Sequence, residues 1–247
     1  KKVLFSTSDS PSIYEGKAGF SGSTYQGGAN FTGSTYNDVA DFRDSTYQGG
    51  ANFTGSTYND VADFRDSTYQ GGANFTGSTY QNLADFTGST YQGGANFIGS
   101  TYNDVADFSG SIFYQIVYFG ADGDNSSFSR FTDCAPQFYD ETNHKNTLFG
   151  SPNNDFSVEN GRGYPIYRNL DGLPLGCKFL TSEQKEYLAD KFQEIDETKN
   201  KFLKVKDPKE KEELLKKLQA LTEELYEWRE EATTVKVEGT APEEKNN

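Results

Sequence analysis

Nine aspartates recur at intervals of 22 residues or multiples of it, and stacked carboxylates are the groups in this chain best placed to do chemistry. Asp38, Asp60 and Asp104 share one offset, Asp41, Asp63, Asp85 and Asp107 a second, and Asp44 and Asp66 a third. Such columns present an acidic stripe to a partner and bind cations weakly. They do not make a calcium loop, because no segment brings six or more oxygens together. Other reactive residue types are sparse. His144 is the sole histidine and lies in a polar loop without metal-ligand spacing. Cys134 and Cys177 give no disulfide framework. Gly161-Arg162-Gly163 lacks the Lys-Ser/Thr of a phosphate loop. The reading is non-enzymatic, with no catalytic residue, metal ligand or cofactor expected.

Those columns exist only if the chain winds with a fixed period. From Tyr14 to Phe119 an aromatic returns at alternating steps of about five and six residues, with Ala or Ser two positions before nearly every one. A helix would place steps of three and four on one face, and a longer strand would alternate every two. Here the small–x–aromatic pairing is strand-like for only two or three residues before Gly or polar residues break it. Short strand, corner, short strand, corner is the pattern of a β-solenoid. Eleven residues are too few to enclose two rings, so 22 residues make one coil of four sides. The expected core is Phe31, Phe42, Phe53, Phe64, Phe75, Phe86, Phe97 and Phe108, with Tyr36, Tyr58, Tyr80 and Tyr102.

Ala29-Asn30-Phe31-Thr32-Gly33 and Ala84-Asp85-Phe86-Thr87-Gly88 resemble the A-[D/N]-[L/F]-x-x unit of pentapeptide-repeat proteins. The resemblance covers about half the chain and is closest to a Phe/Tyr-rich subclass. It implies a right-handed quadrilateral β-helix. The sixth residue in every second unit departs from the pattern and implies two bulged corners per coil. Some members of the family mimic DNA and occupy the DNA-binding surface of type II topoisomerases such as gyrase.

Residues 1–11 read as an N-terminal cap, 12–140 as the mainly β solenoid and 141–180, rich in Pro and Gly, as an irregular cap over its far end. Ser126-Ser127-Phe128 keeps the repeat's form after an insertion. The period then turns helical. Thr181-Ser182-Glu183-Gln184 fits a capping box, and Asp207-Pro208-Lys209-Glu210 starts a second helix. Leu188, Phe192, Ile195, Phe202, Leu214, Leu218, Leu221, Leu225 and Trp228 form the seam of an antiparallel coiled-coil hairpin over 181–232. Residues 233–247 read as a disordered tail.

The formal net charge of −14 argues against direct nucleic-acid binding and against electrostatic binding to anionic membranes. No run is long and apolar enough to span a bilayer. Between Ser12 and Asp140 fourteen acids face four bases. The regular coils carry about one charge per ~2.4 Å, approaching duplex DNA at about one per ~1.7 Å. The expected function is a structural scaffold for a protein partner that the sequence does not identify. The alternatives are an acidic DNA mimic and surface or ice binding through the threonine columns Thr24/Thr46/Thr68/Thr90 and Thr35/Thr57/Thr79/Thr101. An Asn30/Asn52/Asn74/Asn96 column is expected to tie coils together as an amide ladder. Self-association is expected, if at all, through the hairpin or a solenoid end.

Overall fold

The structure, a computed structural model, describes residues 3–4, 11–120, 127–159 and 161–235. Most of the expected N-terminal cap, the insertion through Ser126, and the tail beyond residue 235 lie outside the described residues. Two-residue strands stack in parallel into four long sheets, one per side of the coil, and within the regular coils each strand pairs with its equivalent 22 residues away. We name the sides by their outward residues: Asn30, Thr35, Asp41 and Thr46. Coil-to-coil bonds run in both directions, as in Phe31 N–H to the Asn52 carbonyl (2.7 Å) and Thr57 N–H to the Ser34 carbonyl (2.8 Å). The backbone of Val3 and Leu4 pairs with Ala29 and Asn30.

Inside, the aromatics form four columns. Phe31, Phe53, Phe75 and Phe97 stack 4.9–5.0 Å apart, and Phe42, Phe64, Phe86 and Phe108 run opposite them at 4.9–5.1 Å. The tyrosine columns Tyr36–Tyr102 and Tyr47–Tyr91 stack at 4.8–4.9 Å and meet the Phe rings edge-on. Every ring expected in the core is fully buried. Offset stacking along a column with edge-to-face contact between columns satisfies both geometries that aromatic quadrupoles favour.

Serine rather than alanine precedes tyrosine for a structural reason. The Ser56 hydroxyl donates to the Phe31 carbonyl (2.9 Å), and the Ser78 hydroxyl accepts from the Ser56 N–H (3.3 Å). Along the rod Ser67, Ser78, Ser89 and Ser100 repeat such bonds to corner backbone groups that the sheets leave unpaired. Those corners are tight turns, with Ser34 N–H bonded to the Phe31 carbonyl and Gly33 at φ 66°. The equivalent positions in two coils hold Asp44 (φ 58°) and Asp66 (φ 55°) instead of glycine.

The Gly-Gly corners make a sharp prediction. A Cβ on Gly71 would lie 2.6 Å from the backbone of Gly49 in the coil below, whereas one on Gly50 meets nothing nearer than 3.7 Å. Gly71→Ala is expected to cost about 1–3 kcal/mol, and Gly50→Ala to be neutral or stabilising by about 0.4–1 kcal/mol. Equal melting temperatures for the two variants would refute the backbone-on-backbone stacking.

Five regular coils run from Tyr14 to Phe119, and a sixth with long loops follows. Phe131 continues the Tyr102 column, Phe138 the Phe108 column, Phe149 the Phe113 column and Phe156 the Phe119 column. The solenoid therefore extends past residue 140 to Phe156. Its register is carried by Ser129-Arg130-Phe131, not by Ser127-Phe128, since Phe131 pairs with Tyr102. Val158, Ile166, Leu173 and Cys177 then close the aromatic core.

Two helices follow, α1 (Ser182–Lys204) and α2 (Pro208–Thr233). Both caps read in the sequence are present: Thr181 and Gln184 exchange bonds, and Asp207 accepts from Lys209 and Glu210 amides. Lys191–Glu224 (2.8 Å) and Lys217–Glu194 (2.9 Å) link the helices. The hairpin does not stand off as a separate coiled coil. Leu188 and Phe192 pack on Ile112, Leu148 and Leu180 of the solenoid and cap, and Tyr114 meets Phe192 edge-on. Thr233 is helical and buried, so the helix runs one residue into the expected tail.

Candidate interaction surface

Whether the aspartates make one stripe depends on which side or corner each occupies. Asp41, Asp63, Asp85 and Asp107 project from one side but lie low on it, Asp41 and Asp63 only 4% and 8% exposed. Their carboxylates are engaged. Asp41 holds Lys17 (3.5 Å) and Arg43 (3.2 Å), while Asp63 takes Arg65 in a two-pronged bond (2.9 and 2.8 Å). Asp85 shares Arg65 (3.3 Å) and accepts from Thr87, and Asp107 accepts from the Ser109 N–H. Burial pushes the Asp85 and Asp107 carboxyls above the usual range against those bonds.

Asp38, Asp60 and Asp104 stand apart, at the corner between the Thr35 and Asp41 sides. Each accepts from the next N–H, those of Val39, Val61 and Val105. No lysine or arginine pairs with any of the three among the described residues. Asp44 and Asp66 occupy the opposite corner of the same side and face the hairpin. The nine carboxylates thus divide among three places with different neighbours. Sequence spacing found the columns, but it could not find the burial of Asp41 and Asp63, because the cations that cover them come from corner positions.

The Asn column does not bridge coils. Asn30, Asn52, Asn74 and Asn96 turn their side-chain oxygens on the N–H two residues ahead, within their own corner. The ladder lies one residue after tyrosine instead. Asn37 donates to Glu15 (2.8 Å), Asn59 to Asn37 (2.8 Å) and Asn103 to Gln81 (2.7 Å). The signal was present as an amide-rich column at 37/59/81/103.

The hairpin covers one face. Arg229, 3% exposed, bonds Asp66 (2.7 Å) and stacks on Tyr226. Lys145 pairs with Glu230 (2.9 Å), and Lys199 reaches Gln70 (3.3 Å). Burial raises the Asp66 carboxyl, with Arg229 pulling against it. Beneath the helices run two joined clefts of about 400 Å³ each, floored by Thr24, Thr46, Thr68 and Thr90 and roofed by Ile195, Phe202, Leu218 and Leu225. This threonine column therefore faces the hairpin, whereas Thr35, Thr57, Thr79 and Thr101 lie on a side the hairpin does not reach.

Of the seam residues, Leu188, Phe192, Ile195 and Leu221 are buried, while Phe202, Leu214, Leu218, Leu225 and Trp228 are half-buried. Trp228 stacks on Tyr187. His144 sits exposed at a left-handed turn (φ 53°), its carbonyl accepting from the Val235 N–H. Burial pushes the Cys177 thiol up to about 12.

The repeat itself can be compared with known families. Residues 59–101 match a family model described as pentapeptide repeats (9 copies). This stretch consists of pentapeptide repeats. The matched stretch spans almost two full turns of the winding, and the same pairing register carries the solenoid through the coils on either side. No curated protein and no solved structure matches the chain. Among the described residues no helix is long and apolar enough to cross a membrane.

Proposed function

We propose that this pentapeptide-repeat protein is a non-enzymatic scaffold that binds a protein partner along the corner of Asp38, Asp60 and Asp104. The complement is a surface rich in lysine or arginine. One observation carries the reading: these three carboxylates share a corner the hairpin leaves open and, among the described residues, lack the basic partners that engage Asp41, Asp63, Asp66 and Asp85. Because the strands flanking Asp38 and Asp60 are paired above and below, the corner is preorganised and loses little freedom on binding.

The test uses the intact chain as bait, since the hairpin and solenoid share an interface. The triple variant Asp38→Asn, Asp60→Asn, Asp104→Asn is expected to bind a captured basic partner about tenfold more weakly, from three rim pairs each on the order of 0.5 kcal/mol. A Thr57→Val, Thr79→Val control should bind as wild type. Undiminished binding by the triple variant would rule out this corner. The DNA-mimic alternative draws on the whole set of nine aspartates, and a gyrase supercoiling assay unaffected by micromolar intact chain would remove it.

A further inference from the structure

The chain-wide charge hides a local reversal. Between Lys199 and Lys211 six lysines face two acids, a local charge of +4 in a chain of −14. This is the tip of the hairpin, the end of α1, the start of α2 and the Lys204-Val205-Lys206-Asp207 turn between them. Asp207 is committed to capping α2, where its carboxylate accepts from the amides of Lys209 and Glu210. Lys201, Lys204, Lys206 and Lys209 form no ion pair among the described residues, and all four are exposed. Set among them are Leu203, 57% exposed, and the half-buried Phe202 and Val205.

We infer that this tip binds the surface of an anionic phospholipid bilayer. Four free ammonium groups around an exposed leucine complement a surface that is negative outside and apolar just beneath. A purely acidic protein face would take the lysines but leave Leu203 in water. Phe202 is held by the Lys211 ammonium over its ring (5.5 Å), which fixes the apolar side chains at the turn. The negative total does not forbid this contact, because charges farther than about 10 Å from the surface are screened at physiological salt. The tip is also the end of the hairpin farthest from the cap, beside Thr24 and Gln26 of the first coil. Only the tip touches lipid, and among the described residues no helix is long and apolar enough to span it.

The test is co-sedimentation of the intact chain with vesicles at physiological ionic strength, where the distant acids are screened. Binding is expected to equimolar phosphatidylcholine and phosphatidylserine and not to phosphatidylcholine alone. Lys204→Gln, Lys206→Gln, Lys209→Gln should weaken it about 100-fold, at roughly a few-fold to tenfold per lysine. Leu203→Ser should weaken it about tenfold. All four positions are exposed, so unchanged circular dichroism will confirm folding. Failure to sediment with the mixed vesicles, or equal sedimentation of the lysine variant, would overturn the proposal. So would a Leu203→Ser variant that binds like wild type. A salt-sensitive rise in mass without lipid, abolished by the lysine variant, would also overturn it and assign the tip to a second copy of the chain.

Discussion

Above pH 10 the solenoid is expected to unfold in one steep step, with the buried tyrosines ionising together as it opens. Seven hydroxyls, those of Tyr36, Tyr47, Tyr58, Tyr69, Tyr80, Tyr91 and Tyr102, are buried and make no hydrogen bond within the structure. Burial holds each phenol above its usual range. Ser45 lies close enough to Tyr47 to temper the shift, but its hydroxyl is already turned on the carbonyls of Phe20 and Arg43. The folded chain thus keeps protons that the unfolded chain releases near pH 10. The associated stability is complete below that pH and is lost as pH rises above it. Each unit removes about 1.4 kcal/mol per phenol. Seven phenols together approach a slope on the order of 10 kcal/mol per unit, enough to exhaust a typical domain's stability within one or two units. Phenolate absorbance and far-ultraviolet circular dichroism should change together. Absorbance from all 16 tyrosines rising smoothly while the dichroism holds would contradict the burial. Tyr58→Phe should flatten the slope by one group and at neutral pH stabilise the chain by about 1 kcal/mol, since an unpaired buried hydroxyl disappears. The chain makes this replacement itself at Phe113 and Phe131, where both tyrosine columns continue without a break.

Phe75→Ala is expected to be the most damaging single substitution in the regular coils. Phe75 stacks on Phe53 (4.9 Å) and Phe97 (5.0 Å), meets Phe64 and Phe86 edge-on (both 5.2 Å), and has no exposed surface. Deleting the ring leaves a hole that neighbours pinned by their own strands cannot fill. The expected loss is about 3–5 kcal/mol. Phe75→Leu keeps much of the volume and should cost less. Urea melts of the three chains decide the matter: an alanine variant within 1 kcal/mol of wild type, on the scale that cavities set, would mean the columns can collapse. In a solenoid each coil contacts only its neighbours, so the loss should also appear as early exchange of amides in coils flanking residue 75.

The regular coils were legible because their period is redundant. Each of Phe31 to Phe108 is announced by a small residue two places before it and a copy 22 away. The sixth coil was not, because loops between Phe119, Phe131, Phe138 and Phe149 erase the beat while the columns continue. Both helix caps were legible, since they depend on four neighbouring residues. The docking of the hairpin was not, because Arg229 and Asp66 are 163 residues apart and a leucine stripe looks alike whether it meets a helix or a sheet. The same limit applied to the acidic columns. Their spacing could be read, but whether Arg65 would lie down on Asp63 could not.

The docked hairpin also acts as a ruler. At 23 residues α1 is about 34 Å long, and the seven strands of the side it lies against span about 29 Å at ~4.8 Å per step. Near-identical turns are easily gained or lost in units of 22, and the aromatic columns would accept either change. The strut would not. One turn fewer would leave its end, already about 5 Å beyond the side, overhanging by about 10 Å, and one more would carry the first coil past the place its tip now takes beside Thr24 and Gln26, so a chain that copies itself freely along its axis is held to a fixed number of turns by its one non-repeating arm.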